Sequence, residues 1–510
     1  MKFVFRILIF ISVTCVTQHI TAQSSRPNIL VILSDDHAEQ AISAYGGSLM
    51  QTPNIDRIAK EGAIFRNSFV TNSICAPSRA VFLTGKYSHM NGLIDNSPGR
   101  RFDGSQQQLQ KLLGQEHYQT AWIGKWHLQS LPQGFNYWRI LPDQGNYFQP
   151  DFIHMNEDTV RHTGYVTNLI SDFSLEWLRT RKTDQPFFLV VGEKATHRNW
   201  MPDVQDLGAF DNIDFPLPDN FFDDYKNRIA AFEQDMTISK TMILSSDLKV
   251  GNQKYSGVFS RLSPEEKASY ENYYNKVTEE LDKVKDDSVA LVKWKFQRYL
   301  KDYLSTAKSM DRNIGRILNY LDSTGLSKNT IVIYTSDQGF YMGEHGWFDK
   351  RFMYEESLRT PLVMRYPGVI QPGTQVNQMV VNIDLAPTLL ALAGVKPNAE
   401  MQGSNFAALL KQTQSSKGWR TSLYYHYYEY PEPHRVAPHL GIRTEQYKLI
   451  RFYGPHNDFE LYDIKKDPHE MNNLYTSMSS SVIVQQLKKE LLDLARKYKD
   501  NDAIKILQTQ

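Results

Sequence analysis

Four short apolar runs, Asn28 to Leu33, Thr120 to Ile123, Pro186 to Val191 and Thr330 to Thr335, are bounded by polar, Gly or Pro residues and read as buried strands. Helical patterns lie between them, among them Asn54 to Glu61, opened by Thr52-Pro53, and Leu304 to Leu321. Strands alternating with helices in this way predict an α/β fold on a large, mainly parallel sheet flanked by helices. In such sheets ligands gather at the carboxyl ends of the strands. Here Asp35 and Asp36 end the first run, Lys125 and His127 the second, and Asp337 and Gln338 the fourth, while His197 follows a few residues beyond the third. The polar residues converge on one edge of the sheet.

The remaining chain departs from that rhythm twice. Residues from about Asp203 to Leu304 are acidic, Lys-rich and rich in helix formers, and Ser263-Pro264-Glu265-Glu266 has the form of an N-cap with its capping-box glutamate. This stretch reads as an insertion packed over the sheet. After Gly394-Val395-Lys396-Pro397, the segments Leu423 to Tyr430, Leu440 to Arg443, Tyr447 to Phe452 and Glu460 to Asp463 read as short antiparallel strands, closed by a helix from Val482 to Tyr498. The 510 residues, 41% hydrophobic and 22% charged, suit one large domain and a smaller one. The expected division is a catalytic domain over 23–410 with an insertion at about 203–304, and a C-terminal α+β subdomain over 411–510.

The first 22 residues read as an export signal. Lys2 and Arg6 give a positive start, Ile7 to Val16 is apolar, and Ile20-Thr21-Ala22 offers a small residue for cleavage before Gln23. The apolar stretch is too short to serve as a membrane anchor. An exported, periplasmic protein is expected, with Cys15 part of the discarded signal. Losing Lys2 and Arg6 takes 57 basic residues to 55 against 56 acidic ones, so the mature chain is close to neutral. No global field steers it to nucleic acid or to an acidic membrane, and recognition of a polyanion must be local to a cleft. A single cysteine, Cys75, then remains. It cannot close an internal disulfide, so it is either reactive or an intermolecular link.

Asp35, Asp36, Asp337 and Gln338 form an all-oxygen set suited to a hard divalent cation, Ca²⁺ better than Zn²⁺. Taken alone, an Asp-Asp pair after a strand reads as the cap of a turn. Beside Cys75-Ala76-Pro77-Ser78-Arg79, followed by Leu83-Thr84-Gly85-Lys86, the metal reading prevails.

These residues, with Thr52-Pro53-Asn54-Ile55-Asp56, Gly124-Lys125-Trp126-His127, Thr196-His197, Thr335-Ser336-Asp337 and the stretch from Gly343 to Pro361, occur in an order that resembles the type I sulfatases of the alkaline-phosphatase-like superfamily. The resemblance implies that Cys75 is oxidised to formylglycine by a formylglycine-generating maturase, and that one Ca²⁺ sits on Asp35, Asp36, Asp337, Gln338 and position 75. It further implies that the aldehyde hydrate attacks sulfur and is regenerated by expelling sulfate, which a serine could not do. Arg79 and Lys125 would hold and polarise that group, and His127 would be the base that triggers elimination. His197 and Lys350 would contact sulfate oxygens, with His197 protonating the leaving oxygen, and His345 is a candidate for the same neighbourhood. Two features depart from the family pattern. Gln338 stands where Asn is common, and Thr196-His197-Arg198-Asn199-Trp200 lacks a following Pro-His.

Asp35-Asp36-His37, Ala44-Tyr45-Gly46 and the end of the Cys75 segment at Gly85-Lys86-Tyr87-Ser88-His89 resemble bacterial sulfatases acting on N-acetylglucosamine 6-sulfate in heparan-type or mucin-type glycans. A sulfated glycan is therefore the expected partner. His426, His434, Arg435 and His439, among aromatics in the late segment, are candidate sugar contacts, and equally a polar edge of the small sheet. Other readings remain open: a sulfatase for another position such as a 2-O-sulfated uronic acid, a formylglycine-dependent phosphodiester or phosphonate hydrolase, and a glycan-binding protein without catalysis.

Overall fold

The computed structural model describes residues 26–251, 257–411 and 418–509, so the expected export signal and Cys15 lie outside the described residues. The four core strands form as Asn28–Ser34, Gln119–Lys125, Phe187–Gly192 and Thr330–Ser336. Every position in them from the second onward is buried. Strands buried on both faces need a helical layer on each. Period-two alternation sorts the side chains of Asn28–Ser34 between the layers. Ile29, Val31 and Leu33 join Ala76, Ala80 and Leu83 of the Cys75–Thr84 helix and Leu389 of Leu385–Leu392. Leu30 and Ile32 face the other way, toward helices Pro53–Lys60, Val166–Thr180 and Ser288–Ser323.

Among the described residues the main sheet has ten strands, in the order Thr374–Val376, Ala63–Phe65, Leu362–Arg365, Thr330–Ser336, Asn28–Ser34, Phe187–Gly192, Gln119–Lys125, Tyr137–Leu141, Asp151–His154 and Thr159–Arg161. The five strands from Thr330–Ser336 to Tyr137–Leu141 are mutually parallel, and Leu362–Arg365 and Asp151–His154 pair with them antiparallel. The sheet is mixed and mainly parallel, as expected. Asn28–Ser34 lies between its two neighbours with Leu33 opposite Gly192 and Ser34 opposite Ser336, so three strand ends finish level.

The Ser263 N-cap forms as read: its hydroxyl accepts the Glu266 N–H at 3.2 Å, and the Glu266 carboxylate accepts the Ser263 N–H at 2.8 Å. The helix it opens is Pro264–Asp282. The insertion limit expected at 304 falls inside one helix of 36 residues, Ser288–Ser323, capped by Asp287. Phe296, Tyr299, Leu300 and Tyr303 bury against the same core as Ile314 and Leu318, so no packing boundary separates the two halves of that helix.

The late strands form an antiparallel sheet, Ser422–Tyr427, His439–Thr444, Tyr447–Phe452 and Phe459–Asp463. Helix Val482–Lys497 covers it through Val484, Leu487 and Leu491, and a last helix, Asn501–Gln508, follows. Among the described residues, no helix is long and apolar enough to cross a membrane.

Candidate active site

Cys75 is the first residue of helix Cys75–Thr84, at the end where backbone N–H groups carry partial positive charge. The helix ends at Gly85, whose φ of 63° is left-handed and whose N–H donates to Val81 O at 2.8 Å, so the trailing glycine of the motif is the helix stop. Arg79 lies one turn after Cys75, fully buried. Its Nε donates to Asp337 Oδ2 at 3.0 Å and its Nη1 to Lys125 O at 2.9 Å, which ties the helix to two strand ends.

Asp35 and Asp36 follow the central strand directly. Asp36 takes a left-handed φ of 62°, an unfavourable conformation for a residue with a Cβ, and three contacts hold it. Thr196 Oγ1 and Tyr303 Oη donate to its carbonyl at 2.9 and 2.6 Å, and its N–H donates to Asp337 Oδ1 at 3.1 Å. Lys350 Nζ donates to Asp36 Oδ2 at 2.8 Å, and Lys125 Nζ pairs with Asp35 Oδ2. His197 turns its Nε2 toward Asp36 Oδ2 at 3.9 Å, while its Nδ1 sits 2.8 Å from Arg198 O.

The three carboxyls of this cluster do not titrate alike. Burial, followed by repulsion from Asp35, pushes the Asp337 carboxyl up to about 7. Burial, only partly offset by Lys350, pushes Asp36 up to about 6. Burial also opposes the charge on Asp35, but Lys125, His197, Arg79 and Lys350 together hold it well below the ordinary carboxylate range. Ligand atoms of Asp35, Asp36 and Cys75 lie within 4.8 Å of one another. Asp35 Oδ1 and Gln338 Oε1 are buried acceptors with no hydrogen-bond partner. Orphaned oxygens among buried carboxylates are what a hard cation satisfies, so the residues fit Ca²⁺.

The cysteine itself is chemically quiet. Burial, with Asp35 and Asp36 adding to it against Lys350, pushes the Cys75 thiol well above its ordinary range. A protonated thiol is a weak nucleophile, so the site as encoded has no strong attacking group. Burial, reinforced by Lys125, lowers His127 to about 4, which leaves it a neutral imidazole able to accept a proton.

The structure thus brings together Asp35, Asp36, Cys75, Arg79, Lys125, His127, His197, Asp337, Gln338 and Lys350. His434 borders them, its Nε2 3.1 Å from Asp349 Oδ2, while Arg435 is exposed next to it. His345, His426 and His439 lie deeper in the protein. His345 is fully buried, with Nδ1 2.7 Å from Asp223 Oδ2 and its ring packed on Trp347 and Tyr354. His426 spends Nδ1 on Asp500 and Nε2 on Tyr453 Oη, at 2.7 and 2.8 Å. His439 donates from Nδ1 to Ala437 O at 2.8 Å and accepts the Met353 N–H at Nε2 at 3.0 Å. His426 and His439 thus spend both ring nitrogens inside the protein, whereas His345 Nε2 is buried with no hydrogen-bond partner.

Sequence reasoning missed Gln144, whose amide joins Lys125 Nζ at 2.5 Å and His127 Nε2 at 3.0 Å, and Lys194, whose Nζ donates to Gln144 O at 3.1 Å. Gln144 follows the strand Tyr137–Leu141 as the other site residues follow theirs, so the strand-end signal was present. Arg139 in the middle of that strand broke the apolar run that would have revealed it.

A mainly parallel sheet with a cation-ready acidic set, a helix-borne cysteine and a neutral histidine at its strand ends defines an α/β protein whose buried site can hold a divalent cation beside position 75. The chain matches the Sulfatase family model over residues 27–395, and the model for the C-terminal part of N-sulphoglucosamine sulphohydrolase over 343–497. It is 46% identical over 495 residues to the N-acetylglucosamine-6-O-sulfatase of Bacteroides thetaiotaomicron, covering 94% of this chain and 88% of that protein. It is 27% identical to human N-acetylglucosamine-6-sulfatase, covering 80% and 68%. A solved complex of a relative with its substrate D-glucosamine-2-N,6-O-disulfate superposes with TM-score 0.91 at 46% identity, covering 94% of this chain and 99% of that one. The phosphonate monoester hydrolase of Agrobacterium radiobacter shares the fold, with TM-score 0.67 at 20% identity over 93% and 96% of the chains. The chain belongs to the sulfatase family and is a sulfuric ester hydrolase.

Proposed function

We propose that this sulfatase is an exported, periplasmic carbohydrate sulfatase that removes the 6-O-sulfate from a glucosamine sugar, N-acetylated or N-sulfated, of a glycan. The buried cluster at the strand ends carries the reading of a sulfate-ester hydrolase, and the 46% identity to an N-acetylglucosamine-6-O-sulfatase supports the sugar. The phosphonate hydrolase shares only the fold at 20% identity, so nothing favours that alternative.

When bound on Asp35, Asp36, Asp337 and Gln338, Ca²⁺ supplies Lewis acidity, and formylglycine at position 75 supplies an oxygen nucleophile that can revert to an aldehyde. The chain's own residues do the rest. Arg79, oriented by Asp337, and Lys125 place positive charge beside position 75. Lys350 keeps its proton, since Asp36 and Asp349 outweigh the burial that opposes it, and so offers a fixed charge to a sulfate oxygen. Neutral His127 takes a proton on the position-75 side, with Gln144 holding its Nε2. Burial, then Lys125, lowers His197 well below its ordinary range, so its Nε2 gains a proton only when a bound sulfate adds negative charge. It then gives that proton to the leaving sugar oxygen.

The test uses protein produced with a maturase and shown by mass spectrometry to carry formylglycine at position 75. Sulfate release from 6-sulfated N-acetylglucosamine should exceed that from 2-O-sulfated uronic acid and from a phosphate diester, and calcium chelation should abolish it. Cys75→Ala should bind the sugar and lose at least about 10⁴-fold in kcat, the scale on which a deleted covalent nucleophile is felt. Undiminished turnover by that variant, or no release of the 6-sulfate by modified protein, refutes the proposal.

A further inference from the structure

Next to the reacting centre lies a cavity of about 240 Å³ whose polar lining includes Asn146, Lys194, Arg198, Asn199 and Arg261. Tyr147 is the wall it shares with the catalytic cluster: its hydroxyl donates to His197 O at 2.5 Å, and Lys194 Nζ stands 4.7 Å over its ring. The three cations of this lining are not equivalent. Arg198 is held in a bidentate pair with Asp247 at 2.7 and 2.6 Å. Arg261 pairs with Asp151 Oδ2 at 2.6 Å and donates to Gln149 O at 3.0 Å. Lys194 is 3% exposed, and among the described residues no carboxylate lies within ion-pair distance of it. Its partners are the Gln144 carbonyl and an aromatic face, both neutral.

An ammonium group buried beside neutral partners is costly to keep, and its charge is restored by an anion that enters the space it faces. Burial, then repulsion from Lys125, lowers Lys194 to about 7, whereas Lys350 in the same region is held fully charged by its carboxylates. Lys125 and Lys350 both pair with carboxylates of the acidic set, Lys125 beside position 75 and Lys350 toward the reacting sulfate. Lys194 has no such duty.

We propose that this cavity is a second anion subsite in which Lys194 receives the N-sulfate of the glucosamine whose 6-O-sulfate is being removed. The inference rests on the substrate class proposed above and adds a residue that separates N-sulfated from N-acetylated sugars. Arg198 and Arg261, already neutralised, shape the subsite without competing for the anion.

The experiment compares kcat/KM for 6-sulfated N-acetylglucosamine, for glucosamine carrying N- and 6-O-sulfates, and for a disaccharide in which a uronate neighbours a 6-sulfated N-acetylglucosamine. It uses formylglycine-bearing wild type, Lys194→Met, which keeps the aliphatic stem over Tyr147, and Lys194→Arg, which keeps the charge. Lys194→Met should cut the preference for the N-sulfated over the N-acetylated sugar by about tenfold, the worth of one charge-assisted hydrogen bond, mainly through KM. Lys194→Arg should restore most of it. Parallel losses on all three substrates would overturn the subsite and place Lys194 at the common reacting centre. A loss confined to the uronate disaccharide would overturn it in favour of an adjacent sugar. Wild type that hydrolyses none of them would refute the substrate class, and the subsite would fall with it.

Discussion

The thiol of Cys75 and the imidazole of His439 are both buried and neutral, for opposite ends. At Cys75 burial silences an ordinary nucleophile and leaves room for a better one. At His439 burial serves the fold, and its consequence is a dependence of stability on pH. Burial lowers its folded pKa from 6.5 to about 3. The unfolded chain therefore binds the proton first, and stability present above about pH 6.5 is lost as the pH falls toward 3, at about 1.4 kcal/mol per unit. His439→Gln keeps an acceptor for Met353 N–H and a donor for Ala437 O but cannot titrate. The stability lost by wild type between pH 7 and pH 5 should shrink in the variant by about 2 kcal/mol, and an equal loss in both proteins would refute the assignment. At this scale the sequence was legible where a residue's place in the chain implies its place in the fold: Asp35, Asp36, Lys125 and Asp337 each end a strand or follow one directly. It was ambiguous at His345 and His439, because a histidine among aromatics looks the same whether it closes a core or meets a sugar. It was silent at Lys194, whose lack of a counter-ion exists only once the neighbouring loops have folded.

Elements set by local chemistry were easy to read. The first turn of Pro264–Asp282 is closed by hydrogen bonds between residues three apart, so the four letters from Ser263 to Glu266 contain the whole device. Ser263→Ala should destabilise that turn by about 1 kcal/mol, seen as roughly fivefold faster amide exchange there, and unchanged exchange would show that the cap contributes nothing. The four core strands were legible because burial on both faces demands continuous apolar runs. Ala63–Phe65 and Leu362–Arg365 were not, since three or four residues establish no period. The helix Ser288–Ser323 was half seen. Its first half looks like surface because its charges alternate with apolar residues, yet Lys295, Arg298 and Asp302 are buried through mutual and backbone contacts.

Across the whole molecule the small sheet is locked to the large one by buried charge. Lys448 is fully buried and pairs with Glu355 at 2.9 Å and Glu470 at 2.7 Å, while Arg443 and Arg359 meet Glu355 at 3.1 and 2.8 Å. The same interface reaches the active site, where Tyr425 Oη accepts the Ser73 N–H at 3.1 Å and donates to Arg351 O at 2.6 Å. Lys448→Met leaves the buried Glu470 carboxylate without its cation, while Glu355 keeps Arg443 and Arg359, and should destabilise the protein by about 3–5 kcal/mol. Calorimetry should show a single transition moved to lower temperature, and two separate transitions would mean that the sheets unfold independently. The class of sheet, the runs that become its main strands and the set of residues at their ends were already written in the sequence, because burial periodicity and strand-end position are local properties that a chain displays in linear form. The tertiary structure alone decided which acceptors are left orphaned, which histidines are consumed inside the core and which lysine lacks a counter-ion. Those are questions of who is adjacent to whom, and charges separated by hundreds of residues become neighbours only after folding.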